Sequence, residues 1–495
     1  METLKDPPMA PQVDSAADGF QSHCDNGSSD TTVLPEHHGV SPNDGQLRRS
    51  GRQHPSEVVS REQDILDELM RPLTEQQRQN WTGWVELESD PALFNFILRE
   101  YGVKDIKIQE VLSLDDEMLT FLLQPTYGLI FLFKYRDSDA VEDEQLEECP
   151  DHVWFANQTT TNACATVALL NIVMNIPLLD LGDQLGDFKN ATQSLKPASR
   201  GYEMSHNNFI RTIHNSFARK MDMRNADLTL SNEAQNWSKA RPKRSKRNIA
   251  TNGKSKKSAD ENEPGFHFIA YVPIEKEIWR LDGLQERPIN LGTYHHPPQF
   301  RNLLLTVKGP TSGDWIAVAR ENIYGRIEQY DEDGLQFNLL ALCASPLKTI
   351  PVKLSENAHS ILALEARLDK VKSDWRAFFD GNEFPAINKP DLAYGLSKEL
   401  LENVRTPDAA LSTIEDQGTD PIRLLELYRH WMSIQSKLRA NYMEEVASIG
   451  QENEQAARRK VDHTPCIYSS VRALAESGFL KGIVEDVQGA DAWSR

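Results

Sequence analysis

Two pairs of polar residues, far apart along the chain, limit the folds open to it more than any other feature. Gln158 lies six residues before Cys164, with small and β-branched residues between them and an apolar run after the cysteine. His267 lies in a run of strand-forming residues, and Asp282 follows fifteen residues later, just before a glycine. A fold that uses all four residues must bring the start of a helix next to a distant strand.

The four residue types match the needs of thiol chemistry. A thiol that attacks a carbonyl needs stabilisation of its thiolate, a partner base and a donor for the developing oxyanion. A helix N-terminus stabilises negative charge, so Cys164 at a predicted helix start is a candidate nucleophile. Gln158 is a candidate oxyanion donor, His267 a candidate general base and acid, and Asp282 a candidate to orient the imidazole. This order is typical of papain-like thiol hydrolases.

Each residue also has a purely structural interpretation. A single cysteine in an apolar helix is usually a small core residue. A histidine between two phenylalanines in a strand is often a buried, hydrogen-bonded core histidine, and an aspartate before a glycine is a common turn residue. The occurrence of all four together favours the functional interpretation.

Six short motifs, kept in order over roughly residues 81–345, give the chain a resemblance to the ubiquitin C-terminal hydrolases, which are thiol-dependent deubiquitinases. The motifs are WVELESDP from Trp84, GLIFLFK from Gly128, NACAT from Asn162, HNSFAR from His214, FHFIAYVP from Phe266 and LDGL from Leu281. The resemblance implies that Cys164 is the nucleophile, His267 the general base and acid, Asp282 its orienting residue and Gln158 the oxyanion donor.

The resemblance also implies the reaction, which is hydrolysis of the bond after the C-terminal glycine of ubiquitin, in ubiquitin-dependent protein catabolism, chromatin deubiquitination or both. No cofactor is implied, and the scattered His and Cys residues show no zinc-binding spacing. Two alternatives remain open: another papain-like thiol enzyme, either a hydrolase or a transferase, and a catalytically silent ubiquitin-binding scaffold.

Hydrophobic patterning predicts an α/β (α+β) catalytic domain over residues 79–346. A helix is expected from Pro91, a buried strand over 128–135, a hairpin over 266–281 and a closing strand over 335–343, which together favour a central antiparallel sheet between helical layers. In the family that the chain resembles, this papain-like fold has a knotted backbone. Residues 1–78 are predicted to be a disordered extension, with one short amphipathic helix near its end.

The remainder of the chain is predicted to be a helix and linker over 347–419, followed by an all-α extension over 420–490. A helix of about forty residues is expected from Asp420, with apolar positions spaced as in a coiled coil, and a second helix from Cys466. Two helices cannot bury their own apolar faces, so they either pack on the catalytic domain or bind a partner. The resemblance continues here and implies, through 420–490, a helical adaptor domain of a proteasomal ubiquitin receptor or of a polycomb-type scaffold.

The segment 218–264 shows no regular pattern and carries nine positive charges between Lys239 and Lys257. The resemblance implies that it crosses above the active-site cleft, and its length is expected to admit bulky leaving groups, because longer loops cost little extra closure entropy. The basic part, from Arg241 to Lys257, has three interpretations: a nuclear localisation signal, a site that steers acidic or nucleic-acid-bound substrates, and a solvated insertion without a role.

Composition limits the partners and the cellular compartments that can be expected. A net charge of −20 disfavours nucleic acid as a partner except through the Arg241–Lys257 segment. Five scattered cysteines favour a reducing compartment. The N-terminus does not have the pattern of a secretory signal, and no apolar run is long enough to cross a membrane, so cytoplasmic and nuclear localisation is expected. The sequence leaves open which conjugates are cleaved, which adaptor is bound and the oligomeric state.

Overall fold

The computed structural model describes residues 64–134, 148–240, 265–294, 312–330, 337–379, 389–416 and 418–483. The predictions for residues 1–63 and for most of the basic segment, 241–264, lie outside these ranges. The strands within them are β1 (Ile106–Glu110), β2 (Thr126–Lys134), β3 (Phe266–Ile274), β4 (Glu277–Leu281), β5 (Ile289–Thr293) and β6 (Asn338–Ala344).

The helices fall into two groups along the chain. Those before β6 are α1 (64–69), α2 (Glu75–Asn80), α3 (Pro91–Glu100), α4 (Asp116–Leu119), α5 (Cys164–Val173), α6 (Gly182–Thr192), α7 (Pro197–His206), α8 (Asn208–His214), α9 (Lys220–Ala240) and α10 (Ser312–Tyr330). Those after it are α11 (Pro346–Val371), α12 (Lys398–Asn403), α13 (Asp408–Glu415), α14 (Pro421–Arg459), α15 (Thr464–Glu476) and α16 (479–483).

The strands form one antiparallel sheet in the order β1-β6-β2-β3-β4-β5. Alternate residues of each strand point to opposite faces of the sheet. Because both sets of residues are mostly apolar, both faces are buried and covered by helices. On one face Ile130, Phe268 and Ala270 pack with the apolar residues of α5. On the other, Phe131 and Ile269 pack in a second core with residues of α10. The predicted antiparallel sheet between helical layers is confirmed.

Several predicted elements lie where the sequence patterning places them. Asp90 caps α3 by accepting a hydrogen bond from the main-chain N–H of Ala92, and Pro91 occupies the first turn. The hairpin of β3 and β4 is present, and α5 and α14 extend over almost the predicted residues. Hydrophobic patterning does not predict β1 and β5, which are only five residues long and contain several polar residues.

The region predicted as a linker from residue 377 contains short helices where it is described. α12 and α13 pack beside α11, and Leu396, Val404 and Ile414 are buried there. These few apolar residues are too widely spaced to give a recognisable helical period, although they suffice to attach the segment to α11 and α14. The connecting region therefore contains short helices in 389–416 that the sequence patterning did not indicate.

The long helix α14 packs along α11 and reaches α3 of the sheet-containing core. Leu424, Leu425 and Tyr428 are buried against α11. Further along, the Nζ atom of Lys107 lies 2.6 Å from Glu445, and Arg99 pairs with Glu452 at 3.0 Å. The helix α14 therefore packs on the rest of the protein, which is one of the two alternatives for the extension. The coiled coil stays a prediction.

Two predicted irregular segments are partly helical. Within the extension predicted as disordered, α2 is ordered by a capping box at Thr74 and by Arg78, which donates hydrogen bonds to the carbonyls of Asn215 and Ser216. Within the predicted crossing loop, residues 220–240 form α9. Its buried side chains, such as Met223 and Ala226, are too few to produce a strong helical pattern. Among the helices in the described ranges, none is long and apolar enough to cross a lipid bilayer.

Candidate active site

Cys164 is the first residue of α5, whose ten residues are all buried. Two residues earlier, Asn162 adopts a left-handed conformation with φ of 61°, which asparagine tolerates better than most residues. This turn brings the chain sharply into the helix and places the thiol at its N-terminus, where main-chain N–H groups lack intrahelical acceptors. The Cys164 residue is 6% exposed, so it is largely shielded from solvent.

His267 lies on β3, Asp282 directly follows the adjacent strand β4, and the two residues form a buried pair. The Nε2 atom of His267 lies 2.7 Å from Oδ1 of Asp282, and the two residues are 3% and 2% exposed. The Cys164 thiol is hydrogen bonded to the same imidazole. The structure therefore brings three of the predicted site residues together in the order thiol, imidazole, carboxylate, across more than one hundred residues of sequence.

The pair is electrostatically coupled. Burial opposes the charge on His267, but hydrogen bonds to Asp282 and Cys164 outweigh this effect and raise the pKa of His267 to about 9. Burial likewise opposes the charge on Asp282, yet the hydrogen bond from His267 and the main-chain N–H of Leu284 lower its pKa. An ionised carboxylate beside an imidazolium is the state that this arrangement favours.

Gln158 lies on the loop that precedes Cys164 and is fixed by the loop that follows Asp282. Its main-chain N–H donates to the carbonyl of Gly283 at 2.8 Å. Its side-chain Nε2 donates to the carbonyl of Thr160 at 3.0 Å, and its Oε1 is buried without a hydrogen-bond partner among the described residues. The amide group carries two protons, so one N–H remains for a substrate oxygen.

Two glycines let this loop approach its neighbours closely. A Cβ atom on Gly283 would lie 2.8 Å from Cγ1 of Val167 and 3.1 Å from Cβ of Gln158. A Cβ atom on Gly201 would lie only 2.0 Å from the carbonyl oxygen of Asn157. These contacts require glycine and hold the Gln158 loop against both α5 and α7.

A groove of about 1130 Å³ begins beside the site, at Asn162 and Phe268. One wall is the irregular segment 85–89, and the first turns of α9 also line the groove. The end of α14 and the turn after it contribute further residues, namely Arg458, Arg459, Val461 and His463. The long helix therefore helps to shape this groove.

The residues that form hydrogen bonds with the groove wall are not predictable from the sequence. His214 and Asn215 were noted only as part of a motif, yet both are buried and hydrogen bonded to the wall segment. Their pairing with main-chain carbonyls has no signature in spacing or periodicity.

In the described part of the chain, no three His, Cys, Asp or Glu residues are placed to hold a metal ion.

A thiol at a helix start beside a histidine–aspartate pair, on a helix packed against an antiparallel sheet, defines a papain-like cysteine hydrolase. The family model described as ubiquitin carboxyl-terminal hydrolase, family 1, matches residues 84–307. Ubiquitin carboxyl-terminal hydrolase 2 of Schizosaccharomyces pombe is 31% identical over 339 residues, which is 67% of this chain and 96% of the yeast protein. The chain belongs to this family and is a cysteine-type ubiquitinyl hydrolase.

Two further proteins are similar to this chain. Ubiquitin carboxyl-terminal hydrolase ubh-4 of Caenorhabditis elegans is 33% identical over 262 residues, covering 52% of this chain and 66% of the nematode protein. The catalytic domain of UCH37 from Trichinella spiralis, solved bound to ubiquitin vinyl methyl ester, is 29% identical, with a TM-score of 0.38. That match covers 53% of this chain and 96% of the solved one.

Proposed function

We propose that this chain is a deubiquitinase that hydrolyses the bond after the C-terminal glycine of ubiquitin, with Cys164 as nucleophile. The observation that carries the proposal is the buried relay in which the Cys164 thiol is hydrogen bonded to His267, and His267 to Asp282 at 2.7 Å. Such a relay stabilises a thiolate–imidazolium pair, which is the reactive form of a cysteine hydrolase.

In the first half of the reaction, the Cys164 thiolate attacks the carbonyl carbon of the terminal glycine. The oxyanion that develops is held by the main-chain N–H of Cys164 and by the remaining side-chain N–H of Gln158. The carbon–nitrogen bond then breaks, and the imidazolium of His267 gives its proton to the leaving amine. A thioester between ubiquitin and Cys164 remains, and the freed product is the amine.

In the second half, water attacks the thioester. His267, now neutral, takes a proton from this water while the oxyanion site is used again. The carbon–sulfur bond breaks, ubiquitin leaves with a free carboxylate, and the thiolate–imidazolium pair is restored. Asp282 keeps the Nε2 side of the ring engaged throughout, so that the opposite nitrogen always faces the sulfur.

The direct test compares Cys164→Ala with Cys466→Ala in hydrolysis of a ubiquitin C-terminal amide. Cys466 is exposed on α15 and serves as the matched control for loss of a thiol. We expect no hydrolysis but retained ubiquitin binding for Cys164→Ala, and normal rates for Cys466→Ala. Residual hydrolysis above a few per cent in Cys164→Ala would reject the nucleophile. Binding without hydrolysis by the unmodified chain would point instead to a silent scaffold.

A second part of the proposal concerns the C-terminal helices. We propose that α15 and α16 bind a helical adaptor domain, of the kind carried by a proteasomal ubiquitin receptor or a polycomb-type scaffold. None of the α15 residues is buried, although the helix carries Ile467, Val471 and Leu474, and Phe479 in α16 is 62% exposed. An apolar face of this kind is typical of a helix that docks in a groove on another protein.

The packing of α14 determines how this adaptor proposal is tested. Deleting everything from residue 418 would also expose the apolar face of α11, because α14 covers it. Leu474→Asp and Phe479→Asp leave α14 in place and change only the exposed face. Leu392→Asp, at a residue 79% exposed in another surface turn, is the matched control. Loss of binding to a purified helical adaptor domain in the first two variants only is expected; equal binding by all three would reject the site.

We further propose the domain division expected from the sequence: a catalytic unit over 79–346, a connecting region over 347–419 and an adaptor-binding extension over 420–490, acting in the cytoplasm and the nucleus. The packing of α10 and α5 on one sheet supports the first unit. Limited proteolysis followed by mass spectrometry tests the division, and imaging of the chain with and without 241–257 tests whether the basic segment directs nuclear entry.

A further inference from the structure

Three successive main-chain carbonyls, the last of them at the start of the groove wall, accept hydrogen bonds from side chains outside that segment. Asn215 donates to Gly83 at 2.9 Å, Asn162 donates to Trp84 at 3.1 Å, and Nε2 of His214 lies 2.7 Å from the carbonyl oxygen of Val85. Residues 83–85 are neither helix nor strand, so these three carbonyls have no regular backbone partners. Buried carbonyls need such partners, and here side chains provide them.

His214 is the central member of this set. It is 0% exposed, and its Nδ1 atom lies 2.7 Å from the hydroxyl oxygen of Thr166. Burial, only partly opposed by the hydrogen bond to Val85, lowers the pKa of His214 to about 4, so the ring is neutral near pH 7. A neutral ring that donates from Nε2 to Val85 must accept at Nδ1 from the Thr166 hydroxyl. Each ring nitrogen thus has one fixed role.

The partners of the wall segment flank the nucleophile on both sides. Asn162 lies two residues before Cys164, and Thr166 lies two residues after it. The wall is therefore attached to the catalytic helix through His214 and Thr166, and to the turn before that helix through Asn162. Val85 begins the part of the segment that lines the groove. The distance between this wall and the thiol depends on these hydrogen bonds.

We propose that His214 is a positioning residue that sets the separation between the groove wall and Cys164, and so places the C-terminal residues of the substrate for attack. The proposal rests on the proposed function, because it takes Cys164 as the nucleophile. His214 has no hydrogen bond with Cys164 or His267 among those described for it. Its removal should leave the thiol reactive while the wall, and with it the scissile carbonyl, shifts.

The test compares two reagents that attack the same thiol. Iodoacetamide is small and does not need the groove, whereas ubiquitin vinyl methyl ester must thread its tail through it. The ratio of the two labelling rates at Cys164 reports the effect of the groove alone. Partial unfolding changes the amount of reactive thiol for both reagents equally and therefore cancels in the ratio. A misplacement of about 1 Å can cost about 10²-fold in rate, so we expect the ratio to fall at least about tenfold in His214→Phe.

Matched variants separate the hydrogen bonds from the volume of the ring. His214→Gln retains an N–H near the Nε2 position and should recover most of the ratio. Thr166→Val keeps the shape but removes the hydroxyl, and should lower the ratio as His214→Phe does. His359→Phe is the control, because His359 in α11 likewise donates from Nε2 to a carbonyl, that of Leu401 at 2.8 Å, but lies outside the groove lining.

The outcomes are distinct. A lower ratio in His214→Phe and Thr166→Val, with recovery in His214→Gln and no change in His359→Phe, supports the positioning role. An unchanged ratio in His214→Phe and Thr166→Val, or an equal fall in both labelling rates, overturns it and leaves His214 as a core residue only. Failure of the unmodified chain to react with the ubiquitin probe, while iodoacetamide still labels Cys164, would instead overturn the proposed function.

Discussion

The main-chain N–H of Gln158 donates a 2.8 Å hydrogen bond to the carbonyl of Gly283. Gln158 precedes the candidate nucleophile and Gly283 follows Asp282, so this one bond joins the two loops that carry the site. The residue proposed as oxyanion donor is therefore bonded to the residue that follows Asp282. A substitution that moves either loop should therefore also shift the other.

Gly283→Ala should lower turnover without unfolding the protein. The new Cβ would lie 2.8 Å from Cγ1 of Val167 and 3.2 Å from the main-chain nitrogen of Gln158, so the Gln158 loop must move away. We expect at least a tenfold fall in kcat for a ubiquitin amide, as displaced catalytic groups commonly cost this much. Gly186→Ala, in α6 with nothing within 4 Å, is the control and should leave kcat unchanged.

Gln158→Ala should keep the Cys164–His267 hydrogen bond and remove one oxyanion donor. Loss of one such donor typically costs about 10²–10³ in kcat. The measurement is kcat for a ubiquitin amide together with the rate of alkylation of Cys164 by iodoacetamide. A loss of less than about threefold in kcat would mean that Gln158 serves only to shape its loop.

The pH dependence follows from the raised pKa of His267. The imidazolium persists until the pH rises through about 9, so kcat/KM should decline above that pH as the proton for the leaving amine is lost. Asp282→Asn removes the carboxylate that supports this charge. The basic limb of its pH profile should therefore move to lower pH, measured with a ubiquitin amide between pH 5 and pH 10. An unmoved limb would show that another group controls it.

The interaction between His267 and Asp282 should also make the free energy of unfolding depend on pH. A raised folded-state pKa stabilises the fold fully below the unfolded value of about 6.5, and the contribution is lost as pH rises through about 9. Asp282→Asn should thus lower the free energy of unfolding more at pH 6 than at pH 10, as urea denaturation at both values would show. An equal loss at both would contradict the coupling.

The packing of α14 should depend on the ion pair between Lys107 and Glu445. The Nζ–carboxylate distance is 2.6 Å, and the two side chains are 17% and 10% exposed. Lys107→Ala leaves a largely buried carboxylate with less compensation, which typically costs about 3–5 kcal/mol in free energy of unfolding. The double variant with Glu445→Ala should be less destabilised than the sum of the single variants. Additive losses would show that the pair does not couple the helix to β1.

The sequence was most informative where a residue's chemistry and its local periodicity agreed. Cys164 at the start of an apolar helix, and His267 on a strand, were predictable because each follows a hydrophobic pattern that also fixes its element. Antiparallel pairing of β3 and β4 then gave Asp282 a position near His267. The roles of all four site residues remain proposals, although the structure brings Cys164, His267 and Asp282 into contact.

Other features depend on contacts that leave no periodic signal. Arg200 is buried and donates to the carbonyls of Val153, Phe155, Thr192 and Gln193, which holds the chain that leads into Gln158. Nothing in the local sequence distinguishes it from a surface arginine. In the same way, α9 and the short helices of 389–416 bury few residues each, so tertiary packing rather than amphipathicity decides their conformation.

The most direct test of the central claim is the position of the adduct formed with ubiquitin vinyl methyl ester. After reaction and digestion, mass spectrometry should find the modified C-terminal peptide of ubiquitin on Cys164 alone, with no reaction in Cys164→Ser. An adduct on any of the other four cysteines, or undiminished labelling of Cys164→Ser, would contradict the assignment of Cys164 as the nucleophile.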